Sequence, residues 1–318
     1  MTTFKQIRGT DILVLSSDPT TPEEGQIWYN SSSGTLKGYK SVNTWSSGGN
    51  LNTARYALAG AGTQTAALGF GGYGTVLSGA TELYNGIAWT NGNSMNTARL
   101  NLAGSGIQTA GLAFGGRTPT ITGAVEKYNG STWTSVTSMN TARRDLAGAG
   151  IQTSTLAFGG DTGTAITAAT ESYNGTSWTA TGNLNTARQL LAGVGTQTAA
   201  LAFGGYNGTV NLSATESWNG STWTTLPASM NTARRQFGSA GTQTAALAFG
   251  GNPNTTATEL WNGTSWASNP TGLATARLQL AGAGTQTAGL GFGGYAPPTI
   301  SNATEVWTGV GTKTITVS

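Results

Sequence analysis

Six arginines and six glutamates have the types and the spacing to do chemistry. Arg55, Arg99, Arg143, Arg188, Arg234 and Arg277 recur at intervals of 44, 44, 45, 46 and 43 residues, and Glu82, Glu126, Glu171, Glu216, Glu259 and Glu305 follow them in step. A cation and a carboxylate at a fixed offset can form a charge-assisted pair inside a fold, or can tune one another in an active site. Sixfold repetition argues for the first, because packing needs identical copies and catalysis does not. These two sets supply 12 of the 19 charged residues in 55–318. We therefore expect structural ion pairs in buried surroundings, each Arg with a Glu of its own or the adjacent repeat.

Other chemistry is hard to assemble. The chain has no His and no Cys, which removes the usual Ser/His and Cys/His nucleophile systems and the zinc and copper sites built on those ligands. Apart from the repeated Glu, the acids in the repeats are Asp145 and Asp161, and no carboxylate pair suggests glycoside hydrolysis. Gly-x-Gly matches fall in strands and turns, without the strand-to-helix context of a phosphate loop. The expectation is a non-enzyme with no cofactor and no metal. A net charge of +3 without a basic run gives no reason to expect nucleic acid. No window is apolar for long enough to insert in a membrane, and MTTFKQIRGTDILVLSS lacks the apolar core of a signal peptide.

The elements that must position the charges are short strands. One unit reads MNTARRDLAGAGIQTSTLAFGGDTGTAITAATESYNGTSW, residues 139–178, and most of the chain is that unit copied. From Arg143, RRDLAGAG predicts a first strand and TSTLAFGG a second, with Leu156 and Phe158 alternating against small residues. ATESYNG predicts a third strand, Asn174-Gly175 a type I′ hairpin turn, and TSWTA the fourth. Strands one and three flank the Gly-Gly end of strand two, so Arg and Glu start on the order of 10 Å apart. With no side chain on the glycines, Arg can reach across. A repeat of this length means a solenoid, a propeller or an array.

Arg, then Gly-Gly, then Glu-x-Tyr/Trp, then Trp, then Met-Asn before the next Arg resembles the kelch repeat over about residues 35–310. The resemblance implies an all-β, six-bladed β-propeller of four-stranded blades. Trp45 precedes Arg55 by ten residues, as Trp89, Trp133 and Trp178 precede their arginines, whereas no Trp follows Trp307. The N-terminal strand should therefore pair near Glu305–Trp307 and complete the sixth blade, closing the ring.

Residues 1–34 hold none of the repeat features, and we assign them to an arm or hairpin for attachment or capping, with residues 35–318 as the propeller. In the arm, GQIWYNSSSGTLKGYK predicts a hairpin: strand 26–30, turn 31–34, strand 35–40. Its GQIWYN and LK are similar to an element near the start of bacteriophage tail-fibre and other virion proteins. A hairpin that simply covers a blade edge is the alternative.

Variation between repeats is concentrated in the loops after Gly-Gly. Tyr73, Arg117, Asp161, Tyr206, Asn252 and Tyr295 directly follow the six pairs and should ring one face. Loops on a rigid scaffold are where specificity is placed, drift in unconstrained loops being the alternative. The resemblances together imply a non-enzymatic phage virion structural protein, as tail fibre, appendage or capsid decoration. Its partners would be other virion proteins through the arm, and a host-surface glycan or protein through the variable face. Homo-oligomerisation stays open. The other reading is an intracellular, cytoplasmic kelch-type interaction module.

Overall fold

The computed structural model describes residues 12–19 and 26–314. Among them every regular element is a β-strand. The chain divides into two compact units, Met1–Asn43 with Thr308–Ser318, and Thr44–Trp307.

The larger unit is a propeller-like arrangement of four-stranded antiparallel sheets, one for each of the first five repeats. In the third repeat the strands are Ala147–Ile151, Ser154–Phe158, Thr170–Tyr173 and Trp178–Thr181, hydrogen-bonded in chain order. Burial falls from the middle outward. The second strand is buried on both faces along Thr155–Phe158, while the fourth hides only Trp178 and exposes its neighbours. The core accordingly lies between consecutive sheets: Ala149, Leu156 and Phe158 of one cluster with Ala200, Ala202, Trp218 and Trp223 of the next repeat.

Two local expectations are corrected. The first strand does not run from Arg143 but starts at Ala147. Asp145 takes a φ of 57°, which breaks an extended strand, and its N–H donates to the Asn101 carbonyl of the preceding repeat. The Asn174-Gly175 hairpin is not type I′ either. Only Gly175 has positive φ (93°), while the Asn174 carboxamide oxygen accepts the amides of Thr176 (3.0 Å) and Ser177 (2.9 Å). The side chain replaces one backbone turn with an Asx turn.

The displacement at Asp145 is systematic. Ala57, Asn101, Asp145, Leu190, Gln236 and Gln279 all have positive φ, and each links to the next repeat's counterpart. Asn101 N donates to Ala57 O, Asp145 N to Asn101 O, Leu190 N to Asp145 O, Gln236 N to Leu190 O, Gln279 N to Gln236 O, and Ala57 N to Gln279 O. The series returns to its start.

In the sixth repeat, Ala281–Gly284 and Ala288–Phe292 are followed by Thr304–Thr314, beside which lies Thr35–Ser47 from the other end of the chain. Gly48 N donates to Thr304 O at 2.8 Å. Trp45 packs on Phe249 (ring centroids 4.7 Å) and donates from Nε1 to Thr258 Oγ1 at 2.9 Å. Trp89 on Phe292 with Thr304, and Trp223 on Phe158 with Thr170, repeat this arrangement.

In the smaller unit, Ile27–Asn30 pairs antiparallel with the start of Thr35–Ser47, and Leu13–Leu15 lies parallel to it on the other side. The expected hairpin is present, with Gly34 at φ 65° closing its turn. Asp18 gathers the motif residues: Lys37 Nζ (2.7 Å), Asn30 Nδ2 (2.7 Å) and Trp28 Nε1 (3.1 Å) all donate to its carboxylate. The Lys37 hydrogen bond, then those of Asn30 and Trp28, hold the Asp18 carboxyl at about 2. GQIWYN and LK thus have a local structural purpose, with Trp28 fully buried beneath the hairpin.

Candidate recognition face

The recurring charges meet within each repeat. Arg143 Nη2 lies 3.0 Å from Glu171 Oε1, and the same geometry joins Arg55 to Glu82 (3.0 Å), Arg99 to Glu126 (3.2 Å), Arg234 to Glu259 (3.0 Å) and Arg277 to Glu305 (2.7 Å). Arg188 and Glu216 form the remaining pair. All six arginines are fully buried, and no Glu of the set exceeds 4% exposure. Burial pulls the Arg99 guanidinium down to about 10, with the charge of Glu126 opposing it.

Each pair is a hub rather than an isolated bridge. Glu171 also accepts the backbone amides of Asn140 (2.8 Å) and Thr141 (3.3 Å), fixing the Met-Asn-Thr connection ahead of Arg143. Arg143 Nη1 donates to the Gly159 carbonyl at 3.2 Å. The Gly-Gly pair does more than clear a path for that arginine. Gly160 N donates to the Arg188 carbonyl of the next repeat at 2.9 Å, and a Cβ on Gly159 would stand 2.7 Å from that oxygen. The glycines let consecutive repeats touch backbone to backbone.

The Nη groups of the arginines and the carboxylates are spent on holding strands and connections together, while the buried Nε of Arg55, Arg99, Arg143, Arg234 and Arg277 has no hydrogen-bond partner among the described residues. The six carboxylates are buried and each is paired with an arginine. Burial pushes the Asp145 carboxyl up to about 7, with Arg144 opposing and Asp161 adding. Asp145 lines a cavity to which all six repeats contribute, together with Asn101, Gln236 and Gln279.

The six residues after Gly-Gly share one backbone frame. Each forms a two-residue antiparallel bridge with the residue that follows the repeat arginine: Tyr73 with Tyr56, Arg117 with Leu100, Asp161 with Arg144, Tyr206 with Gln189, Asn252 with Arg235, and Tyr295 with Leu278. The bridge partners were not singled out from sequence. Their signal is that they change from copy to copy immediately after an arginine that never does.

On this frame the side chains differ sharply. Arg144 Nη2 pairs with Asp161 Oδ2 at 2.8 Å. The Arg235 guanidinium sits 4.3 Å from the centre of the Tyr206 ring, and the Tyr206 hydroxyl donates to Gly208 O at 2.8 Å. Arg117 is exposed. Tyr73 and Tyr295 both lie against Tyr56, with ring centroids 5.6 and 5.8 Å apart. The side chains at the six positions thus differ in their contacts. Tyr73 and Tyr295 come together through Tyr56, whereas Tyr206 belongs to a separate cation–π contact.

The opposite, monotonous turns also carry an unforeseen duty. Gln152 Nε2 donates to Gly111 O (2.9 Å) and Tyr128 O (2.6 Å) of the preceding repeat, and Gln108 does the same to Ala67 O and Tyr84 O. Gln64 reaches Gly289 O and Trp307 O of the last repeat. The invariance of Gly-x-Gln-Thr is therefore a strut between sheets as well as a turn. Comparison with protein-family models and with curated proteins finds no match to this chain.

Proposed function

We propose that this chain is a six-bladed, kelch-like β-propeller closed by its N-terminal strand, and that it acts as a non-enzymatic recognition protein in a bacteriophage virion. One observation carries the recognition reading: six bridges of the same backbone geometry, on one scaffold, bear six different side-chain pairs. A fixed frame with exchangeable contacts is how binding specificity is built. The repeated charges support the non-enzymatic reading, since burial and mutual pairing occupy them all. Closure draws on Trp45, which fills on the last repeat the place that Trp89 fills on the first. The virion assignment draws on GQIWYN and LK in the arm, which would bind other virion proteins while the variable face meets a host-surface glycan or protein.

Purified particles from the host–phage system that encodes the chain provide the test. The protein should co-purify at fixed stoichiometry and be labelled by antibody on intact particles. Its absence from the particles removes the virion reading. For closure, deleting residues 1–48 should abolish cooperative folding rather than leave a trimmed propeller.

A further inference from the structure

We infer that the pocket formed where Tyr56, Tyr73 and Tyr295 converge is a binding site for a neutral saccharide ring. The inference rests on the reading of the variable face as a recognition surface, and it narrows that face to one subsite and one ligand class.

The three tyrosines are half-buried and tilted by 52° and 49° about Tyr56, so their rings form a cup rather than a stack. With Gln279, Pro298 and Ile300 they line an open cavity of about 440 Å³, a volume in the range of small-molecule sites, roughly 300–1,000 Å³. Aromatic faces offer stacking surfaces for the C–H faces of a pyranose, and phenols placed at their rims supply directional hydrogen bonds. None of the three hydroxyls has a hydrogen-bond partner among the described residues, although each ring is held by its neighbours. Burial pushes the Tyr56 phenol up from its ordinary value, reinforced by Tyr73 and Tyr295, so the hydroxyl stays a donor at neutral pH.

Charge decides the class of sugar. Among the described residues no charged side chain lines the pocket, and an acidic sugar entering it would lose hydration without a cationic partner. Tyr206 provides an internal control: its ring is covered by Arg235 and its hydroxyl is already committed to Gly208. Among the six bridges only Tyr56–Tyr73 pairs two aromatics, and only there does a third tyrosine arrive from a neighbouring repeat. The geometry therefore provides one such site among the described residues.

The test titrates the full-length protein with a panel of neutral methyl pyranosides and with sialic and glucuronic acids, followed by calorimetry and tyrosine fluorescence. At least one neutral pyranoside should bind saturably at one site per chain. Tyr73→Ala and Tyr295→Ala should each weaken it at least tenfold, while Tyr206→Ala leaves it unchanged. Tyr73→Phe and Tyr295→Phe preserve the rings and should weaken it less than the alanine variants, with unchanged melting curves. Absence of saturable binding by any neutral sugar overturns the inference, as does binding confined to the acidic sugars. Neutral-sugar binding lost in Tyr206→Ala or Arg117→Ala but kept in Tyr295→Ala overturns the pocket and spares the recognition face. Capture of a protein ligand through this face with no sugar binding also overturns the pocket alone. Sugar binding unaffected by substitution at all six positions after Gly-Gly overturns both.

Discussion

Arg143 and Arg144 are neighbours in the chain, and each faces a carboxylate, yet they belong to different worlds. Arg143 is fully buried against Glu171, with backbone amides completing the carboxylate's shell. Arg144 keeps 28% of its side chain exposed and divides itself between Asp161 at 2.8 Å and Asp145 at 3.5 Å. The first pair recurs in six repeats and the second occurs once. In the buried pair, losing one partner strands a charge that water cannot reach. In the second pair, Arg144 still reaches water and Asp145 when Asp161 is lost. That asymmetry separates the residues which must recur from those free to specialise.

The largest expected effect tests this directly. Glu171→Ala should cost about 3–5 kcal/mol by denaturant unfolding, because Arg143 and two amides are left without their acceptor. Asp161→Ala should cost only about 0–1 kcal/mol, as for a partly exposed pair. Equal losses from the two substitutions would break the comparison.

The second test uses pH. Asp145 is pushed up to about 7 from an ordinary value of 3.8, chiefly by burial. Between those values the unfolded chain has released the proton while the folded one retains it. Stability from this group is therefore complete below about pH 4 and declines as pH rises to about 7. Asp145→Asn should flatten that slope and raise the melting temperature at pH 8. A slope that survives the substitution assigns the titration elsewhere.

The smallest test improves the buried set. Most fourth-strand tryptophans donate to a threonine of the preceding repeat, as Trp133 does to Thr81 at 2.9 Å and Trp266 to Thr215 at 3.0 Å. The second repeat has Val125 at that position, and the buried Nε1 of Trp178 has no partner among the described residues. Val125→Thr should restore the bond and stabilise the protein by about 0.5–1.5 kcal/mol in thermal or denaturant unfolding. A destabilised variant would show that the hydroxyl cannot take the geometry seen in its sister repeats.

Much of this molecule was determined by the sequence alone. The repeat of about 44 residues, the four strands in each copy and the Trp45 offset all follow from which residues recur and at what distance. Recurrence reports on groups whose environment is the same in each copy, which is why the Arg and Glu positions were legible. Tertiary structure alone decided how neighbouring repeats meet. The positive φ at Asp145, the approach of the Arg188 carbonyl to Gly159 and the reach of Gln152 to Tyr128 join residues of adjoining repeats. No single unit contains both partners, so no pattern within a unit could disclose them. The same holds for the tyrosine cup. Tyr56 and Tyr73 share the first repeat, but Tyr295 lies in the last, and only the contact between those two repeats brings its ring within 6 Å of Tyr56.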